Sequence, residues 1–344
     1  MHRTFFLIVS LLLIMVLPGI FVSAQEKPTL GLLIGVSGLG DQSFNDMTYA
    51  GMIKAKQEFD LNLILEDSEK SDTGFELSMQ RLIDKGAKII VANGFYLKDL
   101  VKKYATRYPD RYFILQDAEL PDLPNVASII YSVHEGSFLV GALAGMMTKS
   151  GKVGFLGGVD IPIMHVFREG YRQGVMYINP KVDVREEFVT KAPDFSGFRQ
   201  PSVGHERAMA AYGAGVDILY VAAGLTGNGA LQAAEDSDRF AIGVDSDQDH
   251  LAKGHILTSM MKRLDIVTYS EVNKIVTGKF IPGVKTYGLK EHGIGLSDMK
   301  FTRNLIPPNV LRRLDEIKAE IIAGRIKVLN YLDSTVTTQN GTGT

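Results

Sequence analysis

Residues able to do chemistry gather at the ends of apolar runs. The stretch GLGDQSFNDMTYAG, residues 38–51, follows the run LGLLIGV and packs glycines, an acid, an amide, a serine and a lone phenylalanine into one turn. Ser43 and Asp46 have the S-x-x-D spacing of a capping box, which predicts a helix starting at about Phe44. Phe44 and Asn45 then fall in its first turn, beside backbone N–H groups without helical partners. Phe44 is either a staple tucked under the loop or a flat wall facing a cleft; the residues leave both open. ANGF places Asn93 and Phe95 after another apolar run, and QDAEL places Asp117 after YFIL. An acid there is a helix cap or an acceptor for a ligand. Further on, VAAGLTGNG matches a phosphate loop only loosely, because the lysine of G-K-[ST] is missing. AIGVDSDQ brings Asp245 and Asp247 to a strand exit, and ILTSMMKRLD brings Lys262 to a strand-to-helix turn. That lysine is either solvated or able to hydrogen-bond hydroxyls in a cleft.

Catalytic constellations are weak. The chain has no G-x-S-x-G elbow and no H-E-x-x-H, and its 7 histidines show no metal spacing. The acids lack the oxygen-ligand spacing of a calcium loop. Cysteine is absent, which removes disulfides, thiolate metal sites and a cysteine nucleophile. The formal charge of 37 − 39 = −2 invites neither nucleic acid nor an anionic membrane surface. These features point to a binding protein without metal or cofactor rather than to an enzyme.

The elements that must position these residues form a regular alternation. LGLLIGV, LNLILE, AKIIVANG, RYFILQD and NVASIIY read as buried strands. Between them, NDMTYAGMIKAKQEFD, FELSMQRLIDKG and YLKDLVKKYATRYPD repeat apolar residues at three- and four-residue spacing, the helical period. The βαβ pattern then recurs through KVGFLGG, VDVREEFVT, VDILYVAAG, RFAIGVD and HILTSMM. Two open α/β units with parallel sheets are therefore expected in tandem. No Pro/Ser-rich linker separates them, so the chain is expected to cross between two lobes near 131–133, 259–262 and about 288–295. One lobe would hold residues 28–131 with about 262–290, the other 132–261 with about 291–330. In doubly wound sheets ligands bind beyond the carboxyl ends of the strands, where the residues above lie.

Both ends read differently. MHR followed by an apolar stretch broken at Pro18 and Gly19, with small residues at 22–24, has the form of an export signal cleaved before Gln25. The competing reading is a retained membrane anchor. Residues 1–24 would then be the signal and 331–344 a polar, disordered tail. The mature chain is expected to be a soluble, exported monomer, periplasmic or extracellular, without a lipid anchor.

Together, GDQSFND, GFYLKDLVKKYATRYPDRYFILQD, EGSFLVGALAGMMTKSGKVGFLGG, AAGLTGNG, GVDSDQ and LTSMMKRLD resemble the basic membrane protein family, substrate-binding receptors of ABC importers typified by a purine nucleoside receptor. The resemblance runs from about Leu30 to Lys279. It implies two Rossmann-like lobes of the type I periplasmic-binding-protein fold, with a ligand cleft at the hinge and an ABC permease as partner. It implies that Phe44 stacks on a base with Asn45 beside it, that Asp117 accepts from the base edge, and that Asp245 and Lys262 hold ribose hydroxyls. Gly224 would approach the ligand as bare backbone, and Asn93 is counted among the ligand-binding residues. Asp41, Phe95, Phe167 and Leu225 stand as further candidates. Leu225 replaces the second glycine of the family's G-G-T-G loop, and cysteine for lipidation is missing. A second aromatic wall is not placed; Phe167 and Tyr171 are candidates, with helix core as their plainer role. Another flat ring such as riboflavin, or a nucleoside-processing enzyme, are the competing functions.

Overall fold

The computed structural model describes residues 27–67 and 70–333. The first unit is built from β1 (Thr29–Leu33), α1 (Phe44–Phe59), β2 (Asn62–Glu66), α2 (Asp72–Asp84), β3 (Ala87–Asn93), α3 (Lys98–Arg107), β4 (Tyr112–Gln116) and β5 (Val126–Tyr131). The second runs through α4 (Val133–Met147), β6 (Lys152–Asp160), α5 (Pro162–Ile178), β7 (Asp183–Lys191), α6 (Pro201–Gly213), β8 (Ile218–Ala222), α7 (Leu225–Asp236), β9 (Phe240–Asp245) and β10 (Ile256–Lys262). The chain then returns through α8 (Leu264–Val276) and β11 (Gly283–Tyr287), and ends with β12 (Ile294–Leu296) and α9 (Pro308–Ile322).

The strands form two six-stranded sheets of matching order, β11-β5-β4-β3-β1-β2 and β12-β10-β9-β8-β6-β7. All pairings are parallel except β10 with β12. Helices cover both faces, so the central strands are apolar on both sides: β8 is buried throughout and β3 is buried at every residue but Lys88. This is the two-lobed α/β fold expected from the sequence. The chain passes from the first sheet to α4 after Tyr131, from the second sheet to α8 after Lys262, and back again between β11 and β12.

Close helix packing explains several glycines. A Cβ at Gly141 would lie 2.1 Å from the Tyr171 carbonyl oxygen, and one at Gly174 would lie 2.0 Å from that of Phe138. Only glycine lets α4 and α5 cross at this distance. The alternation read from the sequence does not include β11, β12 or α9, although the buried Val310, Leu314, Ile317 and Ile321 of α9 recur at helical spacing. The burial of β11 alternates between partial and exposed, as suits an edge strand. Tyr331, expected in a disordered tail, packs its ring 5.0 Å from that of His165. Residues 334–344 of that tail and the expected export signal, residues 1–24, lie outside the described residues. Among the described residues, no helix is long and apolar enough to cross a membrane.

Candidate functional site

The turn between β1 and α1 is organised by Asp41 rather than by the expected capping box. Asp41 is fully buried and accepts from the Ser37 hydroxyl at 2.7 Å and from the backbone N–H groups of Ser43, Asn45 and Asp46 at 3.0, 3.0 and 3.2 Å. Burial pushes its carboxyl above the usual range, although these donors oppose the shift. Asp46 reaches back to the N–H groups of Gly40 and Gln42, at 2.8 and 2.9 Å, so the box is displaced by one residue. Ser43 makes no side-chain cap. Asp41 already satisfies the helix-start donors, so the Ser43 hydroxyl is free to point across the cleft.

Asn45 and Asn93, expected beside a ligand, are instead bonded to protein groups behind the cavity lining. The Asn45 carbonyl accepts from Gly35 N–H and from Asn93 Nδ2, both at 2.8 Å. Its Nδ2 donates to Ser37 Oγ at 2.7 Å and to Asp41 Oδ2 at 3.1 Å. Asn93 Oδ1 accepts from Thr48 Oγ1 at 2.9 Å. Both amides are fully buried and engaged by protein groups, so they brace the β1 and β3 exits against each other. Asp41, Asn45, Asn93 and Leu225 do not line the cavity.

That cavity lies between the carboxyl ends of the two sheets. About 620 Å³ of space, open solvent at the mouth included, lies between its walls. Of the candidates, Phe44, Phe95, Asp117, Phe167, Gly224, Asp245 and Lys262 line it. Phe44 opens α1 and is half-buried. Phe167 comes from α5, whereas Tyr171, one turn on, is wholly buried against Tyr220 with ring centroids 5.2 Å apart. Tyr171 is therefore core.

Sequence reasoning missed Tyr96 and Phe198, which also line the cavity. Val36 N–H donates to the Tyr96 hydroxyl at 2.7 Å, and that hydroxyl donates to the Asn93 carbonyl at 3.2 Å. Phe198 follows β7 in FSGF, whose other aromatic, Phe195, lies 5.8 Å from Tyr96 and 6.2 Å from Phe95, centroid to centroid. Two phenylalanines spaced by three in a short polar loop were the available signal.

The charged groups follow the matching sheet orders. Strands β4 and β9 hold the same place in their sheets; Asp117 follows one and Asp245 ends the other. Both have φ of 64°, the left-handed region, which turns each chain sharply out of its strand. Lys262 Nζ donates to Asp117 Oδ2 at 2.5 Å, and Ser43 Oγ donates to Asp245 Oδ2 at 2.6 Å. Each aspartate thus accepts from an element of the other unit through one oxygen. Among the described residues no donor reaches either second oxygen. Burial is the largest influence on Asp245 and raises its carboxyl to about 6, although Lys262 and Ser43 pull it down. Two further links close the mouth: the Gln42 carbonyl accepts from Ser246 Oγ, and from Gln248 Nε2 at 3.1 Å. Gly224 caps α7 with φ 55° and ψ −136°. A Cβ there would lie 3.1 Å from Ser37 Cβ and 3.3 Å from the Phe198 carbonyl oxygen.

The family model for PnrA-like ABC transporter substrate-binding proteins matches residues 29–330. The chain is 32% identical over 343 residues to basic membrane protein A of Borreliella burgdorferi, covering 94% of this chain and 96% of that one. It is 30% identical over 309 residues to an uncharacterised lipoprotein of Pyrococcus abyssi, covering 85% and 76%. An ABC transporter solute-binding protein of Aeropyrum pernix superposes with a TM-score of 0.79 at 28% identity, over 88% of this chain and 93% of that chain. Because one relative is a lipoprotein by name, the expectation of an unanchored chain rests on its lack of cysteine alone.

Proposed function

The chain belongs to the PnrA-like family of ABC transporter substrate-binding proteins, and from that footing we propose that it captures a purine nucleoside in the interlobe cavity and presents it to a membrane permease. The observation that carries this reading is the pair of matched strand-exit carboxylates, each with an uncommitted oxygen, in a cavity walled by Phe44, Phe95, Phe167 and Phe198. Aromatic walls suit a planar ring, and stacking a base contributes ~1–3 kcal/mol. Uncommitted carboxylate oxygens suit N–H and O–H donors, and each such bond adds ~1.5–3 kcal/mol. Two or three contacts of this kind support binding of about −8 kcal/mol, the micromolar range, after association costs. In this reading Phe44 stacks on the base, Asp117 reads its edge, Asp245 and Lys262 take the ribose hydroxyls, and Gly224 leaves room beside them.

Two carboxylates against one ammonium disfavour an anion, so a nucleoside fits better than a nucleotide. The protein acts as an exported monomer. Its lobes, residues 28–131 with 262–290 and 132–261 with 291–330, close over the ligand. Isothermal titration with inosine, guanosine, adenosine, adenosine monophosphate and riboflavin tests this. Micromolar or tighter binding of a nucleoside, with the monophosphate at least tenfold weaker, is the expected result. Binding of riboflavin alone overturns the nucleoside assignment, and release of free base from a bound nucleoside would turn the reading toward an enzyme.

A further inference from the structure

Lys262 is a buried cation with an unusual surrounding. Its side chain is 2% exposed, and Asp117 takes one of its three N–H groups. Nζ lies 4.6 Å from the centre of the Phe44 ring, 4.9 Å from that of Tyr131 and 6.0 Å from that of Phe167. All three distances fall within cation–π range, which compensates an ammonium taken out of water. Phe44 and Phe167 line the cavity and would meet a ligand. Tyr131 does not line it.

Tyr131 is held from three sides. It ends β5, where the chain first leaves the first sheet, and is 4% exposed. Its hydroxyl donates to Gln116 Oε1 at 3.3 Å, and Gln116 Nε2 donates to Thr268 Oγ1 on α8 at 3.0 Å. Its ring lies 6.2 Å from that of Tyr287, the last residue of β11. Ser132 N–H donates to the Tyr287 carbonyl at 3.0 Å. Tyr131, Lys262 and Tyr287 are thus the last residues before the three crossings between the sheets, joined side chain to side chain. Only Lys262 extends into the cavity.

Resting on the reading of that cavity as the ligand site, we propose that Tyr131 is a positioning residue: its ring face holds the Lys262 ammonium at the aspartate and the ligand, and ties cavity occupancy to the hinge. Tyr131 touches no ligand, so its effect passes through Lys262. Tyr131→Leu removes the π face and should weaken nucleoside binding roughly tenfold, the range of a desolvated cation–π contact. Tyr131→Phe keeps that face and should stay within about threefold of wild type, because only one long hydrogen bond is lost. In a Lys262→Met background, where no ammonium needs holding, Tyr131→Leu should change affinity by less than about twofold.

The same cycle read on ligand-free protein by urea unfolding separates this proposal from the nucleoside reading. The unfolding constant should show several-fold coupling between Tyr131→Leu and Lys262→Met. If wild-type protein binds no nucleoside, the ligand assignment falls, and the unfolding cycle alone then decides the positioning role. Additive effects in the unfolding cycle overturn the proposal. So does a Tyr131→Phe variant as damaged as Tyr131→Leu, since that outcome makes the residue simple packing.

Discussion

Phe44 is half-buried and faces both the cavity and the Lys262 ammonium. Truncating a fully buried phenylalanine costs ~3–5 kcal/mol of folding. Phe44→Ala should cost clearly less, yet weaken nucleoside binding by ~1–3 kcal/mol, the stacking contribution. Calorimetric melting and titration on one preparation check both; lost stability with intact affinity would make Phe44 structural. Asp117→Asn swaps half of an acceptor pair for a donor, so it should hurt bases that present donors more than bases that present acceptors. Asp245 carries the pH dependence. Its folded carboxyl is raised to about 6 by burial, whereas in the unfolded chain it titrates near the ordinary value of ~3.9. The folded state therefore holds this proton more tightly, and the associated stability is present below pH ~4 and lost as pH rises through about 6. Asp245→Asn should accordingly gain on wild type, by on the order of 2 kcal/mol, between pH 4 and pH 7. Urea midpoints across that range measure the difference. Asp249, also raised to about 6 with burial as the leading cause, is present in both proteins and cancels.

At the scale of elements, the two strand-to-helix turns at the cavity have different supports. The β1–α1 turn hangs on Asp41, which caps three backbone donors and holds Ser37 and Asn45. Asp41→Ala leaves buried donors unpaired and should cost about 3 kcal/mol of stability or more, since each unpaired group carries ~1–3 kcal/mol. Because the same turn positions Phe44 and Ser43, affinity should fall with it, and unfolding together with titration would show the joint loss. The β8–α7 turn hangs on a backbone shape that side chains rarely adopt. Gly224→Ala adds backbone strain of ~1–3 kcal/mol. It also wedges a methyl between Ser37 of one unit and Phe198 of the other. Closure should suffer beyond the loss of stability, seen as a faster ligand off-rate in stopped flow.

At the scale of the molecule, side-chain links between the two units cluster at the cavity mouth and the hinge. Ser43 holds Asp245, the Gln42 carbonyl holds Ser246 and Gln248, and Lys262 holds Asp117. These links are few and each exchanges a protein partner for water on opening, a net of ~0.5–3 kcal/mol apiece, so an open form should lie within reach of what ligands shift in hinged proteins. A saturating nucleoside should reduce the radius of gyration measured by solution scattering, because closure joins both lobes around it. An unchanged radius, with binding confirmed, would argue that the closed arrangement is already dominant without ligand. Ser43→Ala should then bind more weakly without altering the ligand's own contacts.

The alternation of apolar strands and periodic helices determined the two-lobed architecture, because parallel sheets covered on both faces need apolar runs of that length. The placement of Phe44, Asp117, Asp245 and Lys262 at strand exits was likewise local information. Local sequence could not decide which polar groups at those exits face outward. Asn45 and Asn93, 48 positions apart, satisfy each other only because β1 and β3 are neighbours. Ser43 abandons its capping role because Asp41 has filled it and Asp245, 202 positions away, accepts its hydrogen bond. Phe198 and Tyr131 acquire their places from the other unit or from the crossings. Hydrogen-bond saturation and packing between distant segments are properties of the assembled chain, and they sorted the acids and amides of the sequence into those that brace the fold and those that face the cavity.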